Sequence, residues 1–288
     1  MKYRIVQYIQ PWEIDNFERQ VHHMILSSYY IETPKNVIWD VTLNLSIIEW
    51  ETSKLDKQFF IDKFDYLKQI VDYYFTAEFD YDDNIQGSGD KKRVCAEKEQ
   101  DFSIWLDSDI YFPQSTLTYI IEATKQLTED SYILTPEIIR WWDESWDCIV
   151  NDKFLNEPFT MRMEFDIYSL EKIANENEIS LRKNELLKFG AGWFTVLSKK
   201  VTDTIKIPLA GGSYGVDDTY FMICGNGLGI PQYVLRGIII SEMSTRFVLN
   251  RDYTKKLLTV KTNDKQRIST EEYNDLIRNF YKENVWKK

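Results

Sequence analysis

The chain has 288 residues, 43% of them apolar, and a net charge of −11. That is enough for one large domain or two small ones with a sizeable core, and the negative balance with no Lys/Arg-rich block argues against duplex nucleic acid as a partner. Three well-separated cysteines without CxxC spacing argue against a disulfide framework or zinc site and fit a reducing, cytoplasmic setting. No apolar run is long enough to span a bilayer, and the start lacks the apolar core of a signal peptide.

Arg4 to Ile9 reads as a strand that ends at Gln10-Pro11. Trp12 to Ser28 reads as a helix, with Ile14, Phe17, Val21, Met24 and Ile25 at helical spacing. Val37 to Leu43 is a second strand, followed by polar Asn44. Lys57 to Tyr74 is helical, with Phe60, Ile61, Phe64, Leu67 and Val71 on one side. Asp80 to Lys92, acidic and then glycine-containing, reads as a loop. Phe102 to Leu106 is a buried strand, and Pro113-Gln114-Ser115 opens a helix whose stripe is Leu117, Ile120, Ile121 and Leu127. Ser131 to Ile139 is strand-like. Strands and helices thus alternate, which predicts an α/β layer with a mostly parallel sheet.

The second half is less regular. Trp141, Trp142 and Trp146 belong to a polar-aromatic segment. Phe189 to Ser198 is glycine-punctuated and then strand-like. Gly211 to Gly215 is a loop, Val234 to Ile240 a strand, and a helix begins at Thr270 behind a Ser269/Glu272 capping box. No internal repeat is visible.

Asp107-Ser108-Asp109 follows the apolar strand directly. Carboxylates at i and i+2 of extended chain point to one side, so a single hard cation can meet both, and ligands of parallel sheets sit at such strand ends. The same residues also suit a turn. Asp217-Asp218 likewise suit helix capping as well as catalysis. His22 and His23, both in the first helix, read as surface or packing residues.

Trp105-Leu106-Asp107-Ser108-Asp109 resembles the "fLDxD" motif of nucleotide-sugar-dependent glycosyltransferases of the GT-A fold. Phe189-Gly190-Ala191-Gly192-Trp193-Phe194-Thr195 resembles their "GGWF" segment. Tyr214-Gly215-Val216-Asp217-Asp218-Thr219-Tyr220-Phe221 resembles their "G-x-E/D-D-x-x-F" segment. The blocks stand in the family's order across roughly residues 3 to 245.

The resemblance implies a Rossmann-like three-layer α/β fold with an acceptor-side C-terminal part. It would occupy residues 1–250, with a nucleotide-sugar half at 1–140, an acceptor and catalytic half at 141–250, and a helical extension at 251–288. It further implies Mn²⁺ or Mg²⁺ bridging the motif and a donor diphosphate, with Asp109 as direct ligand and Asp107 facing the ribose or the ion. Asp218 would take the proton of an acceptor hydroxyl in an inverting reaction, assisted by Asp217. Asn44, or alternatively Asp40, would meet the nucleotide base of a UDP-sugar. Lys91 or Arg93 would steady the diphosphate, and Trp193 would stack on a sugar. A modified base stays open as acceptor. The family's late histidine ligand is missing. Ser241 and Glu242 stand there, and Glu242 or water would replace it. Two alternatives remain: a sugar nucleotidyltransferase, although the first strand lacks the glycine-rich basic loop of those enzymes, and a non-catalytic carbohydrate- or metal-binding module.

Overall fold

The computed structural model describes residues 1–45, 56–81, 87–139, 170–173, 193–208, 217–242 and 269–287. Trp141, Trp142, Trp146, the Phe189–Gly192 part of the glycine-tryptophan block and the Gly211–Gly215 loop lie outside these residues.

In chain order the described elements are β1 (Tyr3–Ile9), α1 (Ile14–Ser27), β2 (Val37–Leu43), α2 (Lys57–Tyr74), β3 (Thr76–Asp80), α3 (Ser88–Ala96), β4 (Phe102–Leu106) and β5 (Ile110–Tyr111). They continue with α4 (Thr116–Gln126), β6 (Ile133–Ile139), β7 (Leu170–Ile173), β8 (Phe194–Ser198), α5 (Lys199–Thr204), α6 (Asp217–Gly227), β9 (Gln232–Glu242) and α7 (Thr270–Asn284). The strands form one sheet in the order β3-β2-β1-β4-β8-β6-β9-β5, with β7 also on β9. β1, β2, β3, β4, β6 and β9 point one way, and β5, β7 and β8 run against them, so the sheet is mostly parallel as expected.

Alternation along the strands builds two cores. Tyr3, Ile5 and Ile9 of β1, Trp39 and Val41 of β2, and Ile104 and Leu106 of β4 face α1, α2 and α4. Val6 and Trp105 face the other way, toward Cys95 of α3, Val201 of α5, Phe221 and Cys224 of α6, and Ile277 and Phe280 of α7. The result is a helix–sheet–helix sandwich of three layers. α7 belongs to the second layer: the Tyr281 hydroxyl donates to the Ile223 carbonyl at 3.0 Å. Gly227 lies against the same ring, where a Cβ would come within 2.4 Å of it. Gly229, with φ +70°, turns the chain out of α6 in the left-handed region that glycine adopts without strain.

The main departures from expectation have physical causes. The loop expected over Asp80 to Lys92 holds the end of β3 and the start of α3. The buried positions of α3 are Gly89, Asp90, Lys91, Lys92 and Cys95, so no apolar stripe announces the helix. Four of the five β3 residues are only partly buried. The two-residue β5 exists because it pairs with the far end of β9.

Candidate functional site

The Asp107–Asp109 turn leaves β4 at its carboxyl end, and its shape is fixed by neighbours on both sides. The Asp107 N–H donates to the Trp193 carbonyl at 2.9 Å, which extends the β4–β8 ladder one step beyond Leu106–Phe194. After the turn, Ile110 pairs with Glu242 and Tyr111 with Ser241. β9 reaches that position through a register shift: Pro136 pairs with Leu235 but Glu137 with Ile239, so Arg236, Gly237 and Ile238 have no β6 partner. Such irregularities re-aim a strand beside a site. The backbone of Glu242 is thereby set next to the residue that follows Asp109.

Beneath the turn runs a chain of neutral polar groups through the first core. The Trp39 indole N–H donates to Gln7 Oε1 at 2.5 Å, and Gln7 Nε2 donates to Gln20 Oε1 at 2.7 Å. Gln20 Nε2 donates to the carbonyls of Asp107 and Ile110, both at 2.8 Å. Gln7 and Gln20 are buried among apolar residues, where unmade hydrogen bonds would be costly. Neither is among the expected site residues, although an amide inside each of two apolar stripes is a signal visible in the sequence.

Glu13 approaches from the start of α1. Its carboxylate accepts from the Gln10 N–H at 2.7 Å and from the Ser108 side chain. Burial, reinforced by the charge of Asp109, pushes its carboxyl up to about 7 against the lowering effect of those hydrogen bonds. Asn44, almost fully buried at the end of β2, donates to Gln10 Oε1 at 2.9 Å and so stands at the same strand-end edge. His23 is a packing residue as expected: Nδ1 bonds the Phe112 carbonyl at 3.1 Å and the ring meets Tyr111 edge-on, while His22 is exposed.

Asp217 and Asp218 begin α6. The Asp218 carboxylate accepts from the Thr219 N–H at 2.6 Å, in keeping with the preference of helix starts for negative charge. Phe221, one turn further on, meets Trp105 edge-on with centroids 4.9 Å apart. Asp218 therefore lies within one helical turn of a residue touching the strand that carries the motif. Arg93 lines a cavity of about 130 Å³ beside the same Trp105 and Phe221, together with Lys206 and Ile207, and holds Asp90 at 3.3 Å.

Asp40 and Lys91 are placed differently from the expectation that they meet a nucleotide. Asp40 is fully buried and pairs with Lys91, with Arg4 at 2.6 Å and with Lys98 at 2.6 Å, and it accepts from the Cys95 thiol. Burial alone would raise its pKa, but the lysines beside it outweigh burial and bring it down to about 2. Lys91, with a side chain only 2% exposed, faces Asp40 and Asp80. These charges neutralise one another between the sheet and α3.

Among the described side chains, no three His, Cys, Asp or Glu residues gather as a metal cage. The carboxylates of Asp217 and Glu242 lie outside that description. Asp107 and Asp109 are both partly exposed and offer the hard oxygens that Mn²⁺ or Mg²⁺ prefers, so the turn fits such an ion. No described helix is long and apolar enough to cross a membrane.

No family model and no curated protein matches the sequence. Solved structures match the fold. S. aureus TarS 1-349 in complex with UDP-GlcNAc superposes with a TM-score of 0.51 at 13% identity, covering 97% of this chain and 71% of that one. TarS 1-349 alone gives 0.49 at 14% identity, covering 97% and 70%. A longer TarS chain gives 0.47 at 14% identity, and there the match spans 43% of TarS against 97% of this chain. The sandwich is thus a GT-A, Rossmann-like α/β fold.

Proposed function

We propose that the chain is a metal-dependent glycosyltransferase that moves a sugar from a UDP-sugar to an acceptor hydroxyl with inversion. The observation that carries this reading is the Asp107–Asp109 turn: two accessible carboxylates at the carboxyl end of a buried parallel strand, with a backbone held by Trp193 and Gln20. The UDP-GlcNAc complex of the structurally similar TarS supports a UDP-linked donor.

In this reading Asp109 and Asp107 hold Mn²⁺ or Mg²⁺, with Glu242 as the third carboxylate. The ion, when bound, supplies positive charge to the departing diphosphate. Asn44 meets the base, Arg93 attracts the diphosphate, and Trp193 lies along the sugar. Asp40 and Lys91 are left out, because their charged groups are buried against each other. Asp218 accepts the proton of the acceptor hydroxyl as that oxygen attacks the anomeric carbon opposite the leaving UDP, and Asp217 orients the hydroxyl.

The test is UDP release from a panel of UDP-sugars with and without Mn²⁺. Turnover should require the ion and fall about 100-fold or more in Asp109→Ala, the loss of several kcal/mol of charge stabilisation. Metal-independent turnover that Asp109→Ala leaves intact would refute the reading, and pyrophosphate release would point to a nucleotidyltransferase. An anomeric product of retained configuration, read by NMR, would remove Asp218 from the role of base.

A further inference from the structure

Helix α1 carries three polar side chains at i, i+3 and i+7: Gln20, His23 and Ser27. That spacing puts them on one face. Each meets one or two backbone carbonyls of the segment beginning at the Asp107 turn, and the contacts advance along the helix and the segment together. Gln20 donates to Asp107 and Ile110, His23 to Phe112, and Ser27 to Gln114. A carbonyl only accepts, so His23 carries its proton on Nδ1, which leaves Nε2 to accept from the Tyr111 hydroxyl at 3.1 Å. Burial lowers the pKa of His23, consistent with that neutral form.

Such a stripe is unusual inside a packed layer. It lies beside Phe17, Val21 and Met24, all fully buried in the first core. Apolar residues at positions 20 and 27 would bury equally well, but they would remove the Gln20 amide from the Asp107 and Ile110 carbonyls and the Ser27 hydroxyl from the Gln114 carbonyl. β5 supplies only two residues of sheet pairing to this segment, so much of its backbone depends on α1. Gln20 is also fixed from behind, through Gln7 to the Trp39 indole. Both of its amide protons and its carbonyl oxygen are engaged, which leaves it one orientation.

We propose that α1 is a splint: its Gln20–His23–Ser27 stripe holds the 107–114 backbone so that the Asp107 and Asp109 carboxylates are preset for cation-bound nucleotide, with Gln20 the principal positioning residue. Presetting a site's geometry reduces the ordering that binding demands. The proposal rests on the nucleotide-sugar reading for its consequence, but not for the splint itself.

The experiment measures two quantities on the full chain. One is backbone hydrogen exchange over residues 107–114, and the other is affinity for UDP in the presence of Mn²⁺. Gln20→Leu keeps the bulk and removes the donors. Gly229→Ala serves as a control for general destabilisation, because its strain lies at the far end of α6 with open space around it. Exchange over 107–114 should rise about tenfold or more in Gln20→Leu and stay unchanged in Gly229→Ala. Mn²⁺-dependent UDP affinity should fall about tenfold in the first and hold in the second. Ser27→Ala, which removes one hydroxyl, should give the same pattern at smaller amplitude and serves if Gln20→Leu does not fold. Unchanged exchange in these variants, or an equal rise in Gly229→Ala, overturns the splint. A wild-type protein that does not bind UDP with Mn²⁺ overturns the nucleotide-sugar reading instead, and the exchange result still decides the splint.

Discussion

The two faces of β1 and β2 solve the same problem in opposite ways. On one face, Gln7 and Trp39 join Gln20 in a neutral relay that ends on the backbone of the Asp107 turn. On the other, Arg4 and Asp40 join Lys91, Lys98 and Glu78 in a charged cluster that closes on itself under α3. Amides keep their hydrogen bonds at every pH and reach backbone carbonyls without carrying charge toward the Asp107–Asp109 turn, the proposed cation and diphosphate site. Ions tie a helix lacking an apolar stripe to the sheet, but each depends on the others being present. The neutral relay therefore serves the site, and the ionic cluster serves the fold.

The largest expected effect comes from breaking the cluster. Asp40→Ala leaves Lys91 buried without its main counter-charge, and removing one partner of a buried pair costs about 3–5 kcal/mol. The urea midpoint should drop accordingly. A drop no larger than that of a surface substitution would mean that the cluster is not what holds α3. Acid should act on the same group. The folded pKa of Asp40, about 2, lies below its ordinary 3.8, so its contribution is complete above pH 4 and is lost as pH falls toward 2. The difference is worth about 2 kcal/mol, and the acid limb of the stability curve should flatten by that amount in Asp40→Ala. Breaking the relay should cost less than breaking the cluster. Gln7→Leu leaves the Trp39 N–H and the Gln20 carbonyl without partners, a loss of about 1–3 kcal/mol. Because no charge is involved, that loss should be the same at pH 4 and pH 8. A loss that varies with pH would erase the distinction between the two faces.

The contrast also explains what the amino-acid pattern made visible. β1, β2, α2, β4 and α7 were legible because bulky apolar residues recur at the strand or helix period. α3 was not, because lysines and an aspartate occupy its inward positions and their partners lie far away in sequence. The Asp107–Asp109 turn was legible as two carboxylates after an apolar strand. The groups that shape it were less so: Gln7 and Gln20 show only as amides within apolar stripes, and the partners they and Trp193 bond lie far away in sequence, where no local spacing encodes them. Charge misled in the same way. Asp40 and Lys91 suggested ligand contacts, whereas the fold pairs them with each other.

The central claim, that the Asp107 turn is the cation and nucleotide site, is tested most directly by calorimetric titration of UDP into wild-type protein and into the Asp107→Asn/Asp109→Asn double variant, each with and without Mn²⁺. The account predicts saturable UDP binding by the wild type that requires Mn²⁺ and disappears in the double variant while the fold is retained. UDP binding of equal strength in both proteins, or binding indifferent to Mn²⁺, would contradict it.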